Sequence, residues 1–163
     1  MMGTRSGDID PAVVLYLSNA LGYTSARIER LLNEGSGLKA LSGSSDIRDI
    51  IQMADEGDEN AQLAIEVFVY RIRKYIGAYA AVLNGVDVIV FTGGIGENSP
   101  YLREKILADF DYLGLSIECR ANERKERIIS AGASKVCAMM IPTDEERVIA
   151  EQTHAVVEHA TIS

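Results

Sequence analysis

A helix-rich α/β fold with a small, incomplete sheet is predicted by three observations. Val88-Ile89-Val90-Phe91 is a run of β-formers that leads straight into Gly93, Gly94 and Gly96 and then a helix start. A second apolar run, Lys135 to Ile141, follows only after a helical pattern, so the order is β-α-β. Most of the remaining chain repeats its apolar residues at three- and four-residue steps.

The elements follow in order. Asp10-Pro11 is a cap and first-turn pair, and Val13, Val14, Leu17 and Leu21 make one apolar face, predicting a helix over 11–21 that stops at Gly22. Thr24-Ser25 caps a second helix with Ile28, Leu31 and Leu32 inward and Gly35 as its stop. Gly35 to Ser45 is rich in Gly and Ser and reads as a loop. Asp46 to Ala54 returns to helix, with Ile47, Ile50, Ile51 and Ala54 inward. Asp58 opens the longest periodic segment, which runs from Ala61 through Tyr79, Ala80 and Leu83 and ends at Asn84-Gly85. Its middle is apolar on two sides, which suits a central helix packed between sheet and solvent or a homodimer seam. With an unpaired sheet edge beside 87–91 or 135–141, a dimer or larger assembly is expected.

The strand over 87–91 and the glycine turn come next, with Ser99 as cap and Pro100 as first residue of a helix reaching about Tyr112. Leu115 to Cys119 reads as a short strand and Ala121 to Arg127 as a charged loop. After the second buried strand, Pro142-Thr143 starts a last helix to about His159, with Val148, Ile149, Val156 and Val157 inside. Six helices and two or three strands result, with no internal repeat and no visible domain boundary, so 1–163 reads as one domain.

Composition narrows the function. With 163 residues and 47% hydrophobic content the chain can bury a sizeable core, and 6% aromatic content without Trp makes that core aliphatic. A formal net charge of -8 argues against a nucleic-acid partner and against an anionic membrane surface. Cys119 and Cys137 have no metal-ligand spacing and read as structural thiols of a reducing compartment. Without a signal peptide or an apolar span of membrane length, the expected location is cytoplasmic.

Four places carry chemistry. The glycine turn lets backbone approach a ligand without a Cβ, and a phosphate or nucleoside would meet bare N–H groups there; Gly96 is expected at positive φ. The spacing is not the dinucleotide fingerprint, since Ser99 stands where a third glycine belongs, which argues against a nicotinamide cofactor. Asp46 offsets the positive end of its helix, while Arg48, two residues on, is expected to point elsewhere and to suit an anionic or planar ligand. Arg5, between Gly3-Thr4 and Ser6-Gly7, has room to reach into a cleft, where its forked charge suits phosphoryl transfer; a plain surface arginine is the alternative. Thr143 and Glu146 have capping-box spacing, which accounts for some of the acids Asp144, Glu145 and Glu146 and leaves a carboxylate for Mg²⁺.

Thr92-Gly93-Gly94-Ile95-Gly96-Glu97-Asn98 resembles the C-terminal signature of acetate kinases, and Gly3-Thr4-Arg5-Ser6-Gly7-Asp8-Ile9-Asp10-Pro11 resembles another block of that family. Ser44-Ser45-Asp46-Ile47-Arg48-Asp49-Ile50 and Ile141-Pro142-Thr143-Asp144-Glu145-Glu146 fit the same family in the same order. The resemblance implies a partial actin-like (ribonuclease H-like) ATPase domain. It implies that Asp46, Ile47, Arg48, Gly94, Ile95, Gly96, Glu97 and Asn98 bind ATP or ADP, that Arg5 stabilises the transferring phosphoryl group, and that Glu145 is linked to Mg²⁺. Ile47 replaces the family's usual Met, and Asp144 its usual Asn.

The implied reaction moves the ATP γ-phosphoryl group to acetate, giving acetyl phosphate and ADP. The resemblance also implies that the family's N-terminal part is absent and that Met1-Met2 sits at an internal family position. The chain alone is therefore expected to be inactive, with the missing half able to act in trans. A non-catalytic nucleotide-binding or interaction fragment, a plain structural helical partner, and part of a propionate or butyrate kinase remain as alternatives.

Overall fold

The computed structural model describes residues 1–161 and divides into two compact units, Met1–Gly85 and the part from Val86 onward. The first is all helix: α1 (Pro11–Asn19), α2 (Ser25–Glu34), α3 (Gly37–Ser42), α4 (Ile47–Asp55) and α5 (Glu59–Val82). Caps set these starts. The Asp10 carboxylate accepts from the Ala12 amide at 2.8 Å, the Thr24 hydroxyl from the Arg27 amide at 3.3 Å, and the Asp58 carboxylate from the Ala61 amide at 2.9 Å.

Helices α3 and α4 pack on α5, and Leu38, Ile50, Ala61, Ala64 and Ile65 are buried there. Burying each isoleucine is worth roughly 1.5–3 kcal/mol. Toward its C-terminal end the same face of α5 is open, with Tyr75, Tyr79 and Val82 exposed, as is Leu83 just beyond the helix.

The second unit runs β1 (Val88–Phe91), α6 (Gly93–Asn98), α7 (Pro100–Leu107), a single 3₁₀ turn (Asp111–Leu113), α8 (Cys119–Glu123), β2 (Cys137–Met140) and α9 (Glu145–Thr161). The two strands pair in parallel, Val88 opposite Cys137 and Phe91 opposite Met140. On the far edge of β2 lies an antiparallel bridge, Ile128 to Met139, followed by another, Ile117 to Ser130. Leu102, Ile106, Phe110, Ile129, Val136 and Ala138 form the core.

Several expectations need correction. The Gly35–Ser45 loop contains α3, the glycine turn is itself the helix α6, and the charged loop expected over Ala121–Arg127 is entered by α8, which runs to Glu123; together these raise the α-helix count from six to nine among the described residues. The strand expected over 115–119 is a single bridge at Ile117. Helical periodicity also overstated burial. Val13, Val14 and Leu21 of the first helical segment, and Val148, Ile149, Val156 and Val157 of α9, are exposed, because a period reveals a face that could be covered and not what covers it. β1, read as a buried strand from its continuous apolar run, is half open, with Val88 and Val90 exposed and Phe91 buried. Both cysteines are free thiols, and Cys119, at the start of α8, is exposed. No described helix is long and apolar enough to cross a membrane.

Candidate nucleotide and cation site

In the first unit, the segment carrying Arg5 is docked along the α2–α3 junction. The Leu38 amide donates to Met2 O, the Lys39 amide to Gly3 O and the Ser36 amide to Thr4 O, each at 2.9 Å. This contact depends on Gly37, which sits at φ +63° and whose missing Cβ would fall 2.1 Å from Met2 O. Asp8 ties the segment to α5 by accepting hydrogen bonds from the Arg71 guanidinium and the Tyr75 hydroxyl. The Tyr75 hydrogen bond is the main reason its carboxyl lies below the usual range. Arg5 itself is exposed.

The same segment touches the block around Asp46, since a Cβ on Gly3 would stand 3.2 Å from Ser45 O. Asp46 is the N-cap of α4, accepting from the Arg48 amide at 2.9 Å. Contrary to expectation, the Arg48 guanidinium does not point elsewhere. It curls back, with Nε 3.0 Å from Asp46 Oδ1 and Nη2 2.5 Å from Oδ2. The rule that residues two apart on a helix do not meet fails here because Asp46 has extended backbone, φ −88° and ψ 118°. These bonds, the guanidinium's first, hold the Asp46 carboxyl down at about 2. A depressed carboxyl stabilises the fold above its unfolded value of about 3.9 and loses that contribution as pH falls toward its folded value. Ile47 is buried in the core, so only its backbone can face a ligand.

In the second unit, α6 follows β1 directly. Gly93 is the residue at positive φ, +73°, and Gly96 is not. Gly96 instead lies against Phe91, whose carbonyl carbon would be 3.4 Å from an added Cβ. Gly93 and Gly94 have nothing within 4 Å of that position. The Gly93 amide, expected to be bare, donates to Glu97 Oε1 at 2.8 Å. Asn98 donates from Nδ2 to Gly94 O and accepts from Lys125 Nζ, both at 3.0 Å. Lys125 holds φ +57°, an uncommon conformation for a non-glycine residue.

The acidic segment meets this helix. Gly93, Gly94, Thr143, Asp144, Glu145 and Glu146 line one open cleft of about 420 Å³, within the range of small-molecule sites. Thr143 does not cap α9, as its spacing to Glu146 suggested. Asp144 accepts from the Arg147 amide at 3.1 Å, while Thr143 donates both its amide and its hydroxyl to Glu97 Oε1. The Arg147 side chain pairs with Glu151 at 2.7 Å. Among the described residues no three His, Cys, Asp or Glu converge as a metal cage. The exposed carboxylate of Glu145 on this cleft is a hard oxygen donor of the kind Mg²⁺ takes.

The four sequence blocks thus come together in two pairs, 3–11 with 44–50 and 92–98 with 141–146. Sequence reasoning missed Gly37, Arg103, Asn122, Lys125 and the Thr143 contact. Only Arg103 left a signal, a charge beside Leu102, Ile106 and Leu107 on α7. A larger groove of about 710 Å³ along α2, lined by Tyr23, Arg27, Arg30 and Lys39 among others, contains no residue of the four blocks.

Comparisons with known proteins bear on the fold and the family. Structures of acetate kinases superpose on nearly the whole chain, so its fold is a part of the actin-like ATPase class. The crystal structure of Porphyromonas gingivalis acetate kinase matches with a TM-score of 0.88 and 46% identity over 96% of this chain and 40% of that one. Acetate kinase from Entamoeba histolytica matches at 0.87 and 30% identity over 93% of this chain and 41% of that one. A propionate kinase from Francisella tularensis matches at 0.84 and 41% identity, covering 89% and 38%. Residues 1–151 match the model of the acetokinase family, and the chain belongs to that family. It is 52% identical to the acetate kinase of Pseudothermotoga lettingae over 161 residues, 97% of this chain and 40% of that protein. The chain therefore spans about 40% of the length of the relatives it matches.

Proposed function

We propose that this chain is the nucleotide- and Mg²⁺-binding portion of a kinase that moves the γ-phosphoryl group of ATP to a short carboxylate, acetate first among them. The observation that carries the reading is the cleft shared by Gly93, Gly94 and the acids 144–146 in a member of the acetokinase family. In this reading Asp46 and Arg48, with the backbone of Ile47, are the nucleotide-binding residues of the first unit, and Gly94, Ile95, Gly96 and Asn98 are those of the second. Glu145 holds Mg²⁺, which when bound neutralises charge on the phosphates. Arg5 is the permanent cation for the oxygens of the transferring group, a role that suits its fork of donors. The carboxylate oxygen of the acceptor forms the new P–O bond as the bond to the ADP oxygen breaks.

We further propose that the chain binds nucleotide without turning over acetate, because phosphoryl transfer needs every positioning group together and the relatives are much longer. The remaining parts would come from a longer polypeptide or from a second chain in trans, in the cytoplasm. The propionate kinase among the structural matches makes propionate the second candidate acceptor.

Calorimetric titration with ADP and Mg²⁺ tests the site. Binding is expected, weakened about tenfold, or roughly 1.4 kcal/mol, in Arg48→Ala and in Glu145→Gln. Equal affinity in either variant would remove that residue from the site. Acetyl phosphate production by the chain alone at roughly 1 to 100 per second would overturn the partial-enzyme reading. The open face of α5, with Val82 80% and Leu83 69% exposed, supports self-association. A dimer or larger species is expected by light scattering at micromolar concentration, and a monodisperse monomer would count against it.

A further inference from the structure

The resemblance assigns Glu97 to nucleotide contact, but its carboxylate is engaged elsewhere. One oxygen, Oε1, accepts three hydrogen bonds: from the Gly93 amide at 2.8 Å, from the Thr143 amide at 2.8 Å and from the Thr143 hydroxyl at 2.9 Å. Gly93 and Thr143 lie on the two walls of the cleft and are brought together although Glu97 and Thr143 are 46 residues apart. The Thr143 amide, then its hydroxyl, are the main causes that keep the Glu97 carboxyl below the usual range, as expected for an ionised acceptor.

The bond also decides how α9 begins. With Thr143 held against Glu97, the first turn of the helix is capped by Asp144, which accepts from the Arg147 amide. That makes Glu145 the first helical residue and leaves its side chain exposed on the cleft rather than drawn into a capping role.

We propose that Glu97 is a positioning residue that couples the nucleotide wall of the cleft to its cation wall, by fixing Thr143 and hence Glu145 relative to Gly93 and Gly94. This rests on the reading of the cleft as an Mg²⁺–nucleotide site. A coupling of this kind is reciprocal, so Mg²⁺ and ADP each raise the affinity for the other by the same factor, typically between about 5- and 150-fold.

The test compares the full chain with Glu97→Ala, Glu97→Gln and Thr143→Val. ADP affinity is measured with and without Mg²⁺, and amide hydrogen exchange is followed at Thr143 and at Ala138 in β2. In Glu97→Ala the gain in ADP affinity brought by Mg²⁺ is expected to fall about tenfold, whatever the Mg²⁺-free affinity becomes. Thr143 should lose exchange protection while Ala138 keeps it. Glu97→Gln, which still offers an oxygen, should recover most of the gain. Thr143→Val, which keeps the amide donor but lacks the hydroxyl, should lose part of it and serves if Glu97→Ala does not fold.

The possible failures are distinct. Full Mg²⁺ gain in a Glu97→Ala chain that has lost Thr143 protection overturns the coupling while leaving the cleft reading standing. Unchanged Thr143 protection overturns the contact itself. A loss confined to Mg²⁺-free affinity makes Glu97 a direct ligand contact and overturns the positioning role. No Mg²⁺ gain in the parent chain overturns the cleft reading and this inference together, while loss of Thr143 protection would then show the hydrogen bonds to be structural alone.

Discussion

Arg103→Met is expected to destabilise the second unit by about 3–5 kcal/mol, because it leaves buried oxygens without donors. Arg103 is 1% exposed and Asn122, beside it, is fully buried. Nε donates to Asn122 Oδ1 at 2.7 Å and Nη2 to Asn122 O at 2.8 Å, while Nη1 donates to Gly96 O at 2.7 Å and Glu97 O at 3.0 Å. Met fills comparable volume, so the loss reports on hydrogen bonding rather than on a cavity. Burial pushes the guanidinium downward from its ordinary pKa, and it stays charged all the same. Arg103→Lys should recover only a minor share, since an ammonium on a single stem cannot span four acceptors on two sides. Urea unfolding of the purified variants measures the effect, and a loss below about 1 kcal/mol, the worth of one ordinary hydrogen bond, would show that the acceptors find water instead.

Gly37→Ala is expected to release the N-terminal segment from the first unit. The added Cβ would stand 2.1 Å from Met2 O and 2.7 Å from Arg5 O, both backbone atoms. A non-glycine residue at this φ costs about 1–2 kcal/mol, and displacing the segment sacrifices up to four backbone hydrogen bonds worth about 0.5–1.5 kcal/mol each. The control is Gly43→Ala, which has the same kind of backbone, φ +82°, but open space around it, so it should lose only the conformational share. Hydrogen exchange at Leu38 and Lys39 distinguishes them: protection should collapse in Gly37→Ala and persist in Gly43→Ala. Equal behaviour of the two variants would mean that the close approach contributes nothing.

Much of the fold was legible because its signals are local. Asp10, Thr24, Asp58 and Ser99 announce helix starts that the structure keeps, and the alternation of apolar runs with glycines located both strands of the sheet. The short helices were hidden because tertiary contacts override weak local preference. α3 is rich in Gly and Ser but is anchored by Leu38, 1% exposed, and α8 reads as a charged loop yet is anchored by buried Asn122. The identities of the candidate site residues were legible through their blocks, whereas their hydrogen-bonding was not. Nothing in the string tells that Glu97 reaches Thr143 or that Arg48 folds onto Asp46, since both depend on backbone direction at a helix boundary. Arg103 is the clearest case. Its acceptors are three carbonyls and one amide, groups that carry no sequence signature.

The parallel pairing of β1 with β2 joins residues that are each 49 apart along the chain. Closing so long a loop costs entropy before any contact rewards it. The glycine helix can form early, from neighbours, but the wall carrying Glu145 reaches it only after the strands have paired, so the cleft is a late product of folding. A partly folded chain has its glycines in place without the acids 144–146 across from them, so under the proposed reading nucleotide would draw folding forward only through the complete state.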